Sequence, residues 1–207
     1  MKILISCRSY YHKNYSELRD CIDQRLISWV VYLGYIPVLV PNIIGQKKNK
    51  NNLKKFLSEI KPDGLIISGG ENFGVNKTRD VLENSLVKYF FKKKIPILGI
   101  CRGFQLISKL FGSKIIKAKE EVRKNYKIII KENTTQTLNA KCYFKYTINK
   151  IPKEFKLIGE NKLNMDTSPW MIKSNNQICE CWMVHPEREK IFNKILLKRA
   201  KNLFKKI

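Results

Sequence analysis

The stretch Pro96-Ile97-Leu98-Gly99-Ile100-Cys101-Arg102-Gly103-Phe104-Gln105-Leu106-Ile107 decides the reading of this chain. Its first half is a short apolar run behind a proline and reads as a buried strand. Its second half is amphipathic and reads as a helix. Between them lies Gly99-x-Cys101-x-Gly103, a tight strand-to-helix turn with a thiol at its tip. The two glycines are expected to let the chain turn sharply. The tip residue falls at a helix N-terminus, where the dipole and free N–H groups favour a thiolate. Cys101 is therefore the candidate nucleophile.

The alternation of strand and helix extends outward from this turn. Residues 2–6 read as a strand, and 15–34 as a helix with Ser16 at its N-cap and Gly34 at its stop. Residues 36–40 form the next apolar run, ended by Pro41-Asn42. The polar, basic residues 46–52 read as a loop and 53–60 as a short helix. Asp63-Gly64 turns into a buried strand at 65–68, and 78–94 read as a helix opened by Thr78 with Asp80 in its first turn. This order predicts a three-layer α/β fold, a mainly parallel sheet with helices on both faces.

Beyond residue 113 the pattern changes. Residues 114–117, 126–131, 141–148 and 155–160 read as strands with few helices between them, predicting a small antiparallel extension. Residues 161–176 read as a loop carrying Pro169, and 178–184 as a strand. From about Glu187, Phe192, Leu196, Ala200 and Leu203 fall on one helical face and predict a C-terminal helix. No repeat or linker interrupts the chain, so one domain over 1–207 is expected.

Composition narrows the function. The N-terminal apolar run is too short for a signal peptide, and no stretch has the length of a membrane span. A cytoplasmic protein is expected, with its six cysteines reduced rather than paired. Cys179-x-Cys181 lacks the spacing of a zinc pair, and with two histidines in the chain no metal site or cofactor is expected. The net charge of +24 raises the question of nucleic acid. The lysines are scattered, however, as at Lys54, Lys55, Lys92, Lys93 and Lys94, and no nucleic-acid motif accompanies them. A positive field that draws in an anionic small substrate fits better.

A thiol nucleophile needs a base, and the base needs an orienting partner. His12 lies in a polar loop. His185 follows an apolar strand in Val184-His185-Pro186-Glu187, on the rim where open parallel sheets bind ligands. Glu187 is placed to orient its imidazole. Ser68-Gly69-Gly70-Glu71 ends another strand, where backbone N–H groups facing outward could hold an oxyanion. The N–H of Arg102, just after the nucleophile, is the second donor.

Taken together, Asp63–Gly70, Pro96–Gln105 and Val184–Glu187 resemble the class I glutamine amidotransferase superfamily, with its flavodoxin-like sheet. The resemblance is strongest to the stand-alone γ-glutamyl hydrolase branch, which also has an upstream segment like Arg79-Asp80-Val81-Leu82-Glu83. It implies a Cys101–His185–Glu187 triad, an oxyanion hole at Gly70 and Arg102, and a γ-glutamyl thioester intermediate. Gln105 then matches the position that helps hold the glutamyl α-groups, with Glu71 beside it at the substrate.

Cys21–Arg25, Leu33–Asn42 and His185–Glu189 further resemble amidotransferase-like hydrolases of surface-polysaccharide biosynthesis. That likeness implies a nucleotide-linked γ-glutamyl substrate and no obligatory synthetase partner. Arg8 and Arg25 become candidate phosphate contacts, because guanidinium forks match phosphate oxygens. Arg19 reads rather as a surface ion pair. One departure stands out: Lys141-Cys142-Tyr143-Phe144-Lys145-Tyr146 has no histidine where relatives often carry one.

Three alternatives stay open on sequence alone. An α/β-hydrolase with the order Cys101, Asp166, His185 is one. A glutaminase subunit that hands ammonia to a separate synthetase is the second. A basic, non-enzymatic binding protein is the third.

Overall fold

The computed structural model describes residues 1–207 apart from 47–49, 133, 162–167, 176–178 and 206–207. A nine-stranded sheet organises it. In chain order the elements are β1 (Lys2–Ser6), β2 (Arg8–His12), β3 (Glu17–Cys21), α1 (Gln24–Tyr32), β4 (Ile36–Val40), α2 (Lys50–Ile60), β5 (Gly64–Ile67) and α3 (Lys77–Lys93). Then come β6 (Ile97–Ile100), α4 (Arg102–Leu110), β7 (Ile115–Lys117), β8 (Asn125–Lys131), β9 (Thr135–Lys141), β10 (Tyr146–Ile148), β11 (Phe155–Asn161), β12 (Pro169–Ser174), β13 (Cys179–Trp182) and α5 (Lys194–Phe204).

The sheet order is β4-β1-β5-β6-β13-β12-β11-β8-β9. The pairings from β4 through β13 are parallel. Those from β13 out to β9 are antiparallel. The mainly parallel sheet with flanking helices and the antiparallel extension are thus as expected; β8, β9, β11 and β12 continue the same sheet, whereas β7 and β10 pair with each other apart from it. β1, β5, β6 and β13 are buried almost throughout, as continuous apolar strands covered on both faces must be. Trp29 of α1 meets Trp182 of β13 edge-to-face at 6.4 Å, and Phe204 of α5 lies over Gly64 of β5. From β1 the chain first adds β4 on one side and then β5 on the other. The carboxyl ends around that reversal form the crevice in which such sheets bind ligands.

Three expectations are corrected. Residues 15–34 are not one helix. β2 and β3 pair as a hairpin, Arg8 opposite Cys21 and His12 opposite Glu17. Ser16 is no N-cap; it closes the hairpin's 3-10 turn in a left-handed conformation at φ 50°. Tyr15, Leu18 and Ile22 mimic a helical stripe, but a tertiary tie overrides it: Asp20 accepts from the backbone N–H of Asn42 at 2.8 Å and from its side-chain amide at 2.5 Å. The helix begins after Asp23, whose carboxylate accepts from the N–H of Arg25 at 2.9 Å.

Within 161–176, the described residues 169–174 are a buried strand, not a loop. Pro169 stands at its first position, where a ladder donor is dispensable. The C-terminal helix starts at Lys194 rather than near Glu187, because Asn193 caps it by accepting from the N–H of Ile195 at 2.9 Å.

A buried ion network fixes the loops at the crevice. The wholly buried Arg79 of α3 donates to Glu83 at 2.8 Å, to Glu71 at 2.7 Å and to the carbonyls of Ser68 and Gly69, each at 3.0 Å. Glu83 also accepts from Arg102 of α4 and from the Ser6 hydroxyl of β1 at 2.7 Å. Arg102 reaches Asp80 as well and lies over the Phe73 ring at 4.6 Å. One carboxylate thereby ties β1, α3 and α4 together.

Glu83→Ala leaves two guanidiniums without their shared counter-ion and is expected to lower unfolding free energy by about 3–5 kcal/mol. Gly103→Ala puts a methyl 2.2 Å from the carbonyl oxygen of Ile67 and forces β5 and α4 apart. It is expected to cost about 1–3 kcal/mol. Urea denaturation of each variant against the parent protein measures both.

Candidate active site

Cys101 occupies the joint between β6 and α4. It has φ 51° and ψ −98°, a conformation that side chains other than glycine rarely adopt. The strain sits on the cysteine itself, not on its glycines, neither of which has positive φ. Gly99 and Gly103 supply clearance instead. A Cβ at Gly99 would lie 2.8 Å from the Gly103 carbonyl carbon. Cys101 is locked in place by its N–H, which donates to the Trp182 carbonyl of β13 at 2.7 Å. Its residue surface is 8% exposed. Among the other thiols, burial pushes Cys7 and Cys142 up to about 11 and Cys179 well above its usual value, so these stay protonated near neutrality.

His185 follows β13, the strand beside β6. Its ring and the Cys101 Cβ both lie within 4 Å of where a Cβ at Gly69 would stand, and the two residues line the same cavity. Its Nδ1 lies 2.6 Å from Glu187 Oε1. Both residues are buried. Burial opposes charge on the imidazole, but the Glu187 carboxylate and Cys101 outweigh it and raise His185 to about 9. Burial likewise opposes charge on Glu187, and the facing imidazolium more than offsets it, holding the carboxyl below its usual range. The arrangement therefore favours a carboxylate–imidazolium pair at neutral pH.

The Gly69-Gly70 turn presses against this group. A Cβ at Gly69 would fall 2.8 Å from the His185 ring, so only glycine fits. Gly70 has φ 144°, and a Cβ there would strike the Arg79 guanidinium at 2.5 Å. The Arg102 N–H opens α4, where first-turn donors lack intrahelical acceptors. Its side chain points the other way, into the ion network.

A cavity of about 460 Å³ opens over Cys101, lined also by His185, Gly70, Glu71, Arg8, Ser9, Tyr10, Cys21, Tyr143 and Arg188. Of the expected site residues, Cys101, His185, Gly70, Glu71 and Arg8 meet at this cavity, and Glu187 stands behind His185. Gln105 lies on α4 with its amide donating to the Tyr146 carbonyl at 2.7 Å. Glu71 accepts from Arg79 and, at 3.4 Å, from the N–H of Ser9.

Arg25 is not brought to the cavity. Its guanidinium donates to the carbonyls of Glu187, at 2.8 Å, Glu189 and Lys190. Its donors are thus committed to the backbone that carries Glu187. Arg19 pairs with Glu17 at 2.7 Å in the exposed hairpin, and His12 packs on Tyr15 there. Asp166 lies outside the described residues.

Five residues of the cavity, Ser9, Tyr10, Cys21, Tyr143 and Arg188, escaped the sequence reading of the site, the last two being the most informative. Arg188 lies over the Tyr143 ring at 4.3 Å, and Tyr143 meets the His185 ring edge-to-face at 5.5 Å. Both signals were present: Arg188 directly follows Glu187, and Tyr143 lies in the segment singled out for its missing histidine. No cluster of three or more metal-ligating side chains exists among the described residues. No helix among them is long and apolar enough to cross a membrane.

Comparison with known proteins shows the family and the fold. The family model for glutamine amidotransferase class-I matches residues 17–190. A glutamine-hydrolyzing GMP synthase subunit of Methanococcus aeolicus is 29% identical over 189 residues, 90% of this chain and 81% of that protein. A gamma-glutamyl-CDP-amidate hydrolase of Campylobacter jejuni is 26% identical over 215 residues, 99% of this chain and all of that protein. A glutamine amidotransferase structure from Thermotoga maritima superposes with a TM-score of 0.66 at 15% identity, covering 99% of this chain and 82% of that one. A structure from Thermoplasma acidophilum, provisionally described as a GMP synthase subunit, gives 0.72 at 21% identity, covering 99% and 92%. The chain belongs to the class I glutamine amidotransferase family, whose members act on carbon–nitrogen bonds.

Proposed function

We propose that this protein hydrolyses a γ-glutamyl amide bond through a γ-glutamyl thioester on Cys101 and releases L-glutamate. The observation that carries the reading is a cysteine on a strained turn that shares one cavity with an imidazole held by a buried carboxylate at 2.6 Å. The Cys101 sulfur attacks the γ-carbonyl carbon, and the carbonyl electron pair moves onto oxygen. The N–H groups of Gly70 and Arg102 receive that oxyanion. The carbon–nitrogen bond then breaks, and the nitrogen takes the proton from His185. Water next gives a proton to His185 while its oxygen attacks the thioester carbon. The carbon–sulfur bond breaks, freeing glutamate and restoring the thiolate. Glu187 keeps the imidazole oriented throughout. Gln105 and Glu71 hold the α-groups of the glutamyl moiety.

The substrate we favour is γ-glutamyl-CDP-amidate, cleaved to glutamate and cytidine diphosphoramidate for capsular polysaccharide. Support comes from the Campylobacter jejuni relative, which aligns along its whole length, and from the net charge of +24. In this reading residues 1–207 work as one domain in the cytoplasm, without a cofactor and without an obligatory synthetase. A second reading, a glutaminase subunit that supplies ammonia to a separate synthetase, is favoured by the relatives named as glutamine-hydrolyzing GMP synthase subunits.

Glutamate release from γ-glutamyl-CDP-amidate and from L-glutamine tests both readings. Rapid release from the nucleotide amidate by the isolated chain supports the first. Release from glutamine that rises only when a synthetase is added supports the second. In either case Cys101→Ala is expected to lose about a thousandfold or more in kcat. Undiminished release by that variant overturns the mechanism.

The pH dependence is equally specific. The His185 proton, needed by the leaving nitrogen, is present below about pH 9 and lost above it. The pH profile of kcat/KM is expected to fall on its alkaline side near that value. Glu187→Gln removes the charge that raises His185, so the fall should move toward the ordinary 6.5. The same raised value stabilises the folded state fully below 6.5, a contribution lost as pH rises through 9.

A further inference from the structure

We infer that Arg8 and Arg188 form a two-guanidinium clamp for a phosphoryl group attached to the scissile nitrogen, with Tyr143 as the plate that sets the angle of one of them. The inference rests on the γ-glutamyl hydrolase reading and specifies its leaving-group side. Both arginines line the cavity over Cys101, and both also line the narrow cleft that continues beside His185. They come from different segments of the chain. Arg8 opens the β2–β3 hairpin next to Gly70, and Arg188 follows the His185–Glu187 segment.

The charge balance of the cavity is what singles them out. The buried guanidiniums of Arg79 and Arg102 are each matched to carboxylates. Arg25 is spent on backbone carbonyls. Arg8 has no carboxylate or carbonyl partner among the described residues. Arg188 approaches one carboxylate, with its Nε 3.8 Å from Glu187 Oε1, but that oxygen is already engaged by His185 at 2.6 Å. Of the other acids on these walls, Glu71 is held by Arg79 at 2.7 Å, and Asp23, on the cleft, accepts from the N–H of Arg25 at 2.9 Å. Arg8 therefore lines the cavity without an ion pair of its own among the described residues, and Arg188 with only the long contact to Glu187, beside the group that must protonate the leaving nitrogen.

The Tyr143 contact makes the second cation directional. Arg188 is 31% exposed in its side chain, and a free arginine there would sample many rotamers. Stacking at 4.3 Å fixes its plane, and the ring itself is fixed edge-on to His185. A planar, oriented guanidinium donates two parallel hydrogen bonds to a tetrahedral oxyanion; an ammonium acts as a point charge. The arrangement suits an anion bonded directly to the scissile nitrogen better than a neutral amine or ammonia.

Two substrates separate the clamp from the chemistry: γ-glutamyl-CDP-amidate and γ-glutamyl-p-nitroanilide, whose leaving group is uncharged. For Arg8→Ala and Arg188→Ala, the loss of kcat/KM on the amidate should exceed the loss on the anilide by about tenfold or more, mostly as raised KM. Arg188→Lys should recover only part of that selectivity. Tyr143→Phe keeps the stack and should keep the selectivity, whereas Tyr143→Leu should lose it. Equal losses on both substrates would mean that the arginines serve the fold or the His185 pair, and would overturn the clamp. So would equal turnover of both substrates by every variant. Cleavage of neither substrate by the unmodified protein would instead reject the hydrolase reading itself. Arg8 is half-buried and makes no ion pair among the described residues, so its variant keeps the test valid if Arg188→Ala unfolds.

Discussion

Two buried guanidiniums share one buried carboxylate, and the geometry of the candidate site depends on that sharing. Glu83 accepts from Arg79, Arg102 and Ser6. Through Arg79 it governs the Ser68-Gly69 backbone, and through Arg102 the start of α4. These are the two segments proposed to supply oxyanion donors. Isolated buried charges are strongly unfavourable, so each ion restricts where the others sit. The turns at the crevice are short and carry glycines, which give them little stiffness of their own. The network provides the stiffness that their sequence lacks.

Against this fixed floor, the nucleophile is held in an unfavourable backbone conformation by neighbours that leave no alternative. Gly103 lets α4 approach β5 to within contact of the Ile67 carbonyl. The N–H of Cys101 is tied to the adjacent strand. Strain of this kind costs about 1–3 kcal/mol and persists only where packing overdetermines it. Here it presents the thiol at the start of a helix, in the same cavity as an imidazole paired with a buried carboxylate.

Much of this was legible in the sequence because it is local. Gly99-x-Cys101-x-Gly103, the Gly69-Gly70 pair and His185-x-Glu187 each bring chemistry and geometry together within a few residues. The central parallel strands were equally plain, since strands buried on both faces are continuous apolar runs. The hairpin at 8–21 was hidden because Tyr15, Leu18 and Ile22 imitate a helical stripe, while the tie that overrides them comes from Asn42, twenty-two residues beyond Asp20. β12 was hidden by its polar surroundings and its leading proline. Arg25 illustrates a different limit: residue type gave its capacity to bind phosphate, but only the fold revealed that backbone carbonyls had claimed it. Tyr143 and Arg188 face each other across more than forty positions of chain, a distance no motif spans.

The parallel pairing of β6 with β13 has a consequence for how the reacting groups are spaced. Register places Ile100 opposite Trp182, so the residue that follows one strand and the segment that follows the other emerge side by side. The two reacting groups are thereby carried on adjacent strands whose backbones run about 4.8 Å apart, rather than on distant parts of the sheet. The sheet acts as a ruler. The substrate-facing walls, drawn from the hairpin and from the turn between β9 and β10, lie off this ruler, so they can change shape and specificity while the spacing of the chemistry stays constant.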